Sequence, residues 1–382
     1  MKVLYDGWPL VFQPNSAAAL HTLTLLARLP QEIEAILALP APSRHPLPAR
    51  VSQRLIHTRN SAFAQLRWEQ RCIPALANKE GVDLVHLTGD FPALFGPAIN
   101  IISPSGFDLK RLYNLRSRLR QPLVTRLRSA LAQGGASRLR GVMWPDDLPD
   151  PGIQAPLLHL PPVVHPAFDP DDAGASWTVT TAAGAGLKQL SIEDLPETFV
   201  LSHGPASEAD LGLLFNAWAW AAGAIGGYYP LLLVGQQSAN QRIQAMAAER
   251  GLTGTVQVLP SLDLESLVLL YRRCSALFHP ATVSPWGGPG RLALVSHKAV
   301  VSLENRFSDA LFGSAAYLVP EQNGAALDAR TLGAALITVI VEQGVREALV
   351  QEASQRTAAW NPPQFEQELI NAYQKILARK TV

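Results

Sequence analysis

Cysteine is almost missing from this chain: Cys72 and Cys274 are the only 2 in 382 residues. They lie far apart in apolar, helix-like surroundings, a pattern of reduced, buried thiols rather than of a disulfide framework or a thiolate metal site. A reducing cytoplasm fits that usage. Uninterrupted apolar runs are missing too. Leu211 to Asn240 carries no charge, but Asn216, Gly226, Gly227 and Pro230 break it into a helix ending near Ala224 and a strand from Leu231 to Val234. No membrane-spanning helix is expected there. Asp6 and Pro9 fall inside what would be the apolar core of a secretory signal, so export is not expected. The chain has no His-Glu-x-x-His, Walker loop, Gly-x-Ser-x-Gly elbow or spaced carboxylate set, which argues against zinc and serine chemistry; no metal site is expected.

What is there is apolar and weakly charged. With 48% hydrophobic and 16% charged residues the chain can bury large cores, and its length favours two domains. The formal net charge of +1 conceals an asymmetry. Residues 1–165 hold 18 Lys and Arg against 11 Asp and Glu, leaving 14 against 20 for residues 166–382. Much of the excess falls from Lys110 to Arg140, including Arg111, Arg116, Arg118, Arg120, Arg126, Arg128 and Arg138. That segment reads either as a solvated pair of Arg-rich helices or as a surface for peripheral contact with an anionic membrane. It has no aromatic stacking platform, so no nucleic-acid partner is expected.

Apolar runs at Val3–Tyr5, Ala35–Leu39, Leu84–Leu87, Ile99–Ser103, Gly141–Met143 and Leu157–Leu160 alternate with helical stretches, as buried parallel strands do. A second series runs Phe199–Ser202, Leu231–Val234, Val256–Val258, Ala276–Phe278, Ala299–Val301 and Ala316–Val319. Each series reads as a doubly wound α/β domain. The expected boundaries are 1–165 for the first domain, 166–197 for a polar, Gly-containing linker and 198–360 for the second domain. A helix in 361–382 carries Phe365, Leu369, Ala372, Tyr373 and Ile376 at helical spacing.

After the Ala276–Phe278 strand come His279, Pro280 and the loop Pro285-Trp286-Gly287-Gly288-Pro289-Gly290, which opens a helix; after the Phe199–Ser202 strand comes His203-Gly204-Pro205. Glycine loops at strand C-termini and helix N-termini suit a diphosphate, though glycines in tight turns also serve packing alone. This stretch resembles family 4 glycosyltransferases of GT-B fold. Val82-Asp83-Leu84-Val85-His86, Leu160 to Phe168 and Asp309 to Ala316 are similar to further stretches of that family, in the same order.

The resemblance implies two Rossmann-like domains facing a cleft, with the C-terminal helix crossing back to the first. It also implies retaining, metal-independent transfer of a hexose from a nucleoside diphosphate sugar to a glycan or lipid-linked acceptor, with no other cofactor. Gly204, Gly287, Gly288 and Gly290 would cradle the diphosphate, Ser284 would touch the donor sugar, and Val258 and Leu259 would edge the base. Asn15, Ser16 and His21 would face the acceptor side; capping and packing account for them equally, Ser16 as an N-cap. The chain departs from the family at the charged positions. Ser284 and Leu292 stand where the family has glutamates, and no cation occupies Pro205 to Asp210, where it has Arg and Lys. Ser103-Pro104-Ser105 stands where a His-Asp pair is expected. Arg291 is the nearest substitute cation, on a helix position that reads as solvent-facing, and His279 reads as a core imidazole. A catalytically inactive GT-B protein binding glycan, nucleotide or a partner transferase is the alternative.

Overall fold

The computed structural model describes residues 1–89, 92–94, 96, 99–105, 123–153, 155–169, 187–204, 208–235, 240–281, 283–321 and 325–378. Of the basic segment, Lys110, Arg111, Arg116, Arg118 and Arg120 lie outside them, as does much of the 166–197 linker.

The chain builds two parallel sheets. The first has seven strands: β1 (Lys2–Asp6), β2 (Glu34–Leu39), β3 (Ser52–Leu55), β4 (Leu84–Leu87), β5 (Ile99–Ile102), β6 (Leu139–Pro145) and β7 (Leu157–Leu160), in the order β3-β2-β1-β4-β5-β6-β7. The second has six: β8 (Val200–His203), β9 (Leu231–Val234), β10 (Val256–Leu259), β11 (Ala276–Phe278), β12 (Val300–Glu304) and β13 (Ala316–Pro320), in the order β10-β9-β8-β11-β12-β13. Strands β1, β4, β8, β9 and β11 read as apolar runs because helices cover both faces of each sheet. β3 was not expected. Its sequence Ser-Gln-Arg-Leu is polar because it is an edge strand, pairing only with β2 and leaving its other side to solvent.

In both sheets the strand order reverses beside the first strand, between β1 and β4 and between β8 and β11. Such switch points open a crevice at the carboxyl ends of the strands, because the connections on either side run to opposite faces. The uncharged stretch resolves into the helix Glu208–Ile225 and strand β9, and among the described residues no helix is long and apolar enough to cross a membrane.

The last helix, Pro362–Ala378, buries Phe365, Leu369, Ala372, Tyr373 and Ile376. It is tied to the first sheet by polar contacts as well. Tyr373 and Tyr5 pair through their hydroxyls at 3.0 Å, the Tyr373 hydroxyl reaches His86 Nδ1 at 2.6 Å, and His86 Nε2 meets the Ser103 hydroxyl. The whole chain of groups is buried, so each partner satisfies a group that would otherwise be costly to desolvate.

Candidate functional site

The loops at the two switch points touch. Gly287 has φ +61°, and a β-carbon there would lie 2.2 Å from the Ala17 carbonyl oxygen and 2.7 Å from the His21 amide. Only glycine fits, in conformation and in space. The first turn of the Ala17–Ala27 helix therefore rests directly on the glycine loop. Next to that contact His21 stacks on Trp286, with ring centroids 5.0 Å apart, and the Trp286 indole donates to the Met143 carbonyl at 3.0 Å.

The loop before that helix is held from both domains. Asn15 donates through Nδ2 to the Leu262 carbonyl and accepts the Leu262 amide at Oδ1, both at 2.8 Å. His203, at the end of β8, contacts the Asn15 carbonyl through Nε2 at 2.7 Å and the Tyr271 hydroxyl through Nδ1 at 2.8 Å. A carbonyl only accepts, so Nε2 carries the proton and the hydroxyl donates to Nδ1. By the same argument His45 Nε2 donates to the Pro14 carbonyl at 2.9 Å. Burial holds both rings neutral, pulling each pKa down to about 4, against the backbone hydrogen bonds that raise it.

Arg291 is placed differently from the solvent-facing reading. It is 0% exposed. Its guanidinium grips the Asp147 carboxylate with Nη1 and Nη2 at 2.8 and 2.7 Å, donates through Nε to the Pro285 carbonyl at 2.7 Å, and lies 5.6 Å from the Trp360 ring centroid. A short helix, Pro289–Val295, is buried along its length, so no position on it faces water. Leu292, at the family's second glutamate, is likewise in the core.

The remaining expected residues are distributed around this contact. Gly204 is exposed at the end of β8 with φ +86°, and the nearest atom to a β-carbon there is Pro289 Cγ at 3.8 Å. Ser284 is half-buried and folds back on Gly288, whose β-carbon would sit 2.6 Å from that of Ser284. Gly290 packs on Phe312. Val258 is half-buried and Leu259 buried at the end of β10. His279 is buried at the end of β11. Ser16 caps the Ala17–Ala27 helix, its hydroxyl accepting the Ala19 amide at 3.2 Å. The structure thus gathers Asn15, His21, Gly287 and Arg291 at the domain contact and leaves Gly204 at its open edge.

On the first domain's side, the switch point between β1 and β4 opens into a cavity of about 230 Å³, and among its lining residues are Asp6, Trp8, Gln13, Gln65, Glu69 and Arg128. Ala18, beside the residue that touches Gly287, lines it as well. Asp6 ends β1, and its Oδ1 accepts the Trp8 amide at 2.9 Å and the Trp68 indole at 2.8 Å. Trp68 and Glu69 come from a π-helical turn, Trp68–Cys72, where one extra residue per turn re-aims side chains. Arg128 binds both Glu69 oxygens, Nη2 to Oε1 at 2.5 Å and Nε to Oε2 at 2.8 Å. Burial raises the Asp6 carboxyl, and it raises Glu69 to about 7 despite the opposing pull of Arg128. Arg128 thus turns inward, while Arg138 and Arg140 are exposed. No local sequence pattern marks this pocket as a whole. Asp6 could have been found, as an acid at the carboxyl end of the first strand, whereas Glu69 depends on the π-turn.

No protein-family model matches the chain, and no curated protein matches it significantly in sequence. Solved structures do match in fold. WaaG, a glycosyltransferase involved in lipopolysaccharide biosynthesis, superposes with a TM-score of 0.70 at 11% identity, over 98% of this chain and 99% of that one. Sucrose-phosphate synthase from Thermosynechococcus elongatus gives 0.66 at 13% identity, over 99% and 100%. HepE of Anabaena, in complex with UDP and glucose, gives 0.62 at 12% identity, over 98% and 100%. The two parallel-sheet domains are those of the GT-B fold, shared over essentially the whole chain.

Proposed function

We propose that the chain is a nucleotide-sugar glycosyltransferase: a retaining, metal-independent enzyme that moves a hexose from a nucleoside diphosphate sugar to a glycan or lipid-linked acceptor. The observation that carries the reading is the opposition of two switch points, with the polar cavity at β1 and β4 on one side and the loops after β8 and β11 on the other. A transferase needs two sites within one bond of each other, and crevices at facing strand ends supply that arrangement. The neighbours' fold supports it, and HepE was solved with UDP and glucose. Gly204 is the open position beside which a diphosphate would sit; its own amide is taken by the Val234 carbonyl at 3.0 Å, so what it offers is space. Peripheral contact with an anionic membrane is supported by the exposed Leu123 and Leu127 together with Arg138 and Arg140 of the same segment.

Calorimetric titration of the full chain with a panel of nucleoside diphosphates tests the reading, saturable binding of one being the expected result. A paired substitution sharpens it. Gly204→Asn keeps a residue type tolerant of positive φ, whereas Gly204→Asp adds a negative charge where phosphate is to bind. The aspartate variant should lose at least about tenfold in affinity relative to the asparagine variant, about 1.4 kcal/mol. Equal affinities would place the diphosphate elsewhere.

A second reading, a GT-B protein that binds without catalysing, is favoured by one observation. Arg291 is committed to Asp147 and Leu292 to the core, so neither offers the donor a charge. Failure of every nucleoside diphosphate to bind would select it.

A further inference from the structure

We propose that the cavity at the β1/β4 switch point binds a protonated amine on a small hydroxylated ring, an amino sugar unit, with Asp6 Oδ2 as its counter-charge. Among the described residues the lining leaves one carboxylate oxygen unpaired. Asp6 is 9% exposed. Both hydrogen bonds it accepts go to Oδ1, so among the described residues Oδ2 has no donor. Arg128 is engaged bidentately by Glu69 and its one positive charge also acts on Asp6, so the lining sets two buried carboxyl groups against a single cation. A carboxylate this far from water is costly unless a cation meets it.

The other polar groups fit the same occupant. Gln13 and Gln65 line the cavity half-buried, and among the described residues neither side-chain amide makes a hydrogen bond. With Asp6 Oδ2 their carbonyls provide three acceptors, the number an ammonium group needs. At ~30 Å³ per water, about 230 Å³ holds roughly eight waters, room for a single ring and not for an oligomer. A neutral sugar would leave the carboxylate without its counter-charge. A metal ion is a poorer fit, since among the described residues no group of three or more His, Cys, Asp or Glu side chains is placed to hold one.

The inference rests on the transferase reading only in making this amine part of the acceptor, and its binding test stands apart from nucleotide binding. The full chain is titrated at pH 7.5 with methyl glucosaminide and with methyl glucoside, followed by saturation-transfer NMR. The expected result is at least about tenfold tighter binding of the amine, as a charge-assisted contact provides. Asp6→Asn keeps the Oδ1 acceptor for Trp8 and Trp68 but turns an NH₂ donor towards the ligand, and the preference should disappear with the melting temperature held. If that variant does not fold, Gln13→Leu with Gln65→Leu should weaken amine binding at least about fivefold, because two of three acceptors are lost. Equal affinity for the two glycosides, binding of neither, a preference that persists in folded Asp6→Asn, or an unaffected double variant would each overturn the proposal. Retained nucleoside diphosphate binding alongside any of these would leave the transferase reading standing.

Discussion

Asp147→Ala should destabilise the chain by about 3–5 kcal/mol, because it leaves a buried guanidinium without its anion. The two ends of the pair are not equivalent. Arg291 is 0% exposed and Asp147 18%, so a stranded Asp147 can recover water while a stranded Arg291 cannot, and arginine cannot shed its proton. Arg291→Met, which keeps much of the side-chain volume, should therefore cost less than Asp147→Ala. Urea denaturation of the two variants decides the matter, and a larger loss for Arg291→Met would refute this account of the pair. The pair also joins the domains: Asp147 follows β6 of the first sheet and Arg291 follows the glycine loop of the second. Loss of Asp147 should increase hydrogen exchange at Trp286 to Gly290 more than at β8 or β9, since the loop is held through Pro285 and Arg291.

The fold was legible because parallel sheets buried on both faces demand unbroken apolar runs, and β1, β4, β8, β9 and β11 have them. β3 was not, for the same reason reversed: an edge strand needs no such run. Helix Pro362–Ala378 could be read from Phe365 to Ile376 because one face of it is buried at a period of 3.6 residues. That it crosses back to the first domain was implied by the resemblance, but its partners there were not legible, since the contact of Tyr373 with Tyr5 and His86 joins residues hundreds of positions apart.

At the domain contact the glycines, Asn15 and His21 were legible, and the charged side chains were not. Glycines 204 and 287 stood out because a positive φ restricts the residue type. Arg291 misled because a charged residue on a short helix ordinarily faces solvent, and only Asp147, supplied by the other domain, makes its burial tolerable. Glu69 and Arg128 were invisible for a related reason. Their pairing needs a π-turn and a helix from a later segment to meet at the end of β1, and local sequence pattern says nothing about either.

Acid should unfold this chain early. His45 and His203 have pKa values pulled to about 4, and His86 and His165 to about 3, in each case chiefly by burial. His21, buried against Trp286, is also lowered. In the unfolded chain a histidine titrates near 6.5, so below that pH the unfolded state binds protons that the folded state refuses. The stability these rings contribute is fully present above about pH 6.5 and is lost as pH falls towards 4, by up to about 1.4 kcal/mol per pH unit for each ring. Glu69 acts in the opposite sense. Its folded value of about 7 lies above the unfolded 4.5, so protonation between those values favours the fold and offsets about one histidine. The remaining four rings still remove roughly 6 kcal/mol per pH unit at the steepest, against a typical total of ~5–15 kcal/mol. Melting temperatures recorded from pH 7.5 to 4.5 should be level down to about pH 6.5 and then drop steeply, with unfolding at room temperature before pH 4. His203→Gln can still donate to the Asn15 carbonyl and cannot take up a proton, so it should flatten that drop by about 1.4 kcal/mol per unit. A flat profile to pH 4.5, or a His203→Gln profile superimposable on the parent's, would mean that these imidazoles are charged in the folded protein; Nε2 would still donate to the Pro14 and Asn15 carbonyls, and the Tyr271 hydroxyl would accept from His203 Nδ1 instead of donating to it.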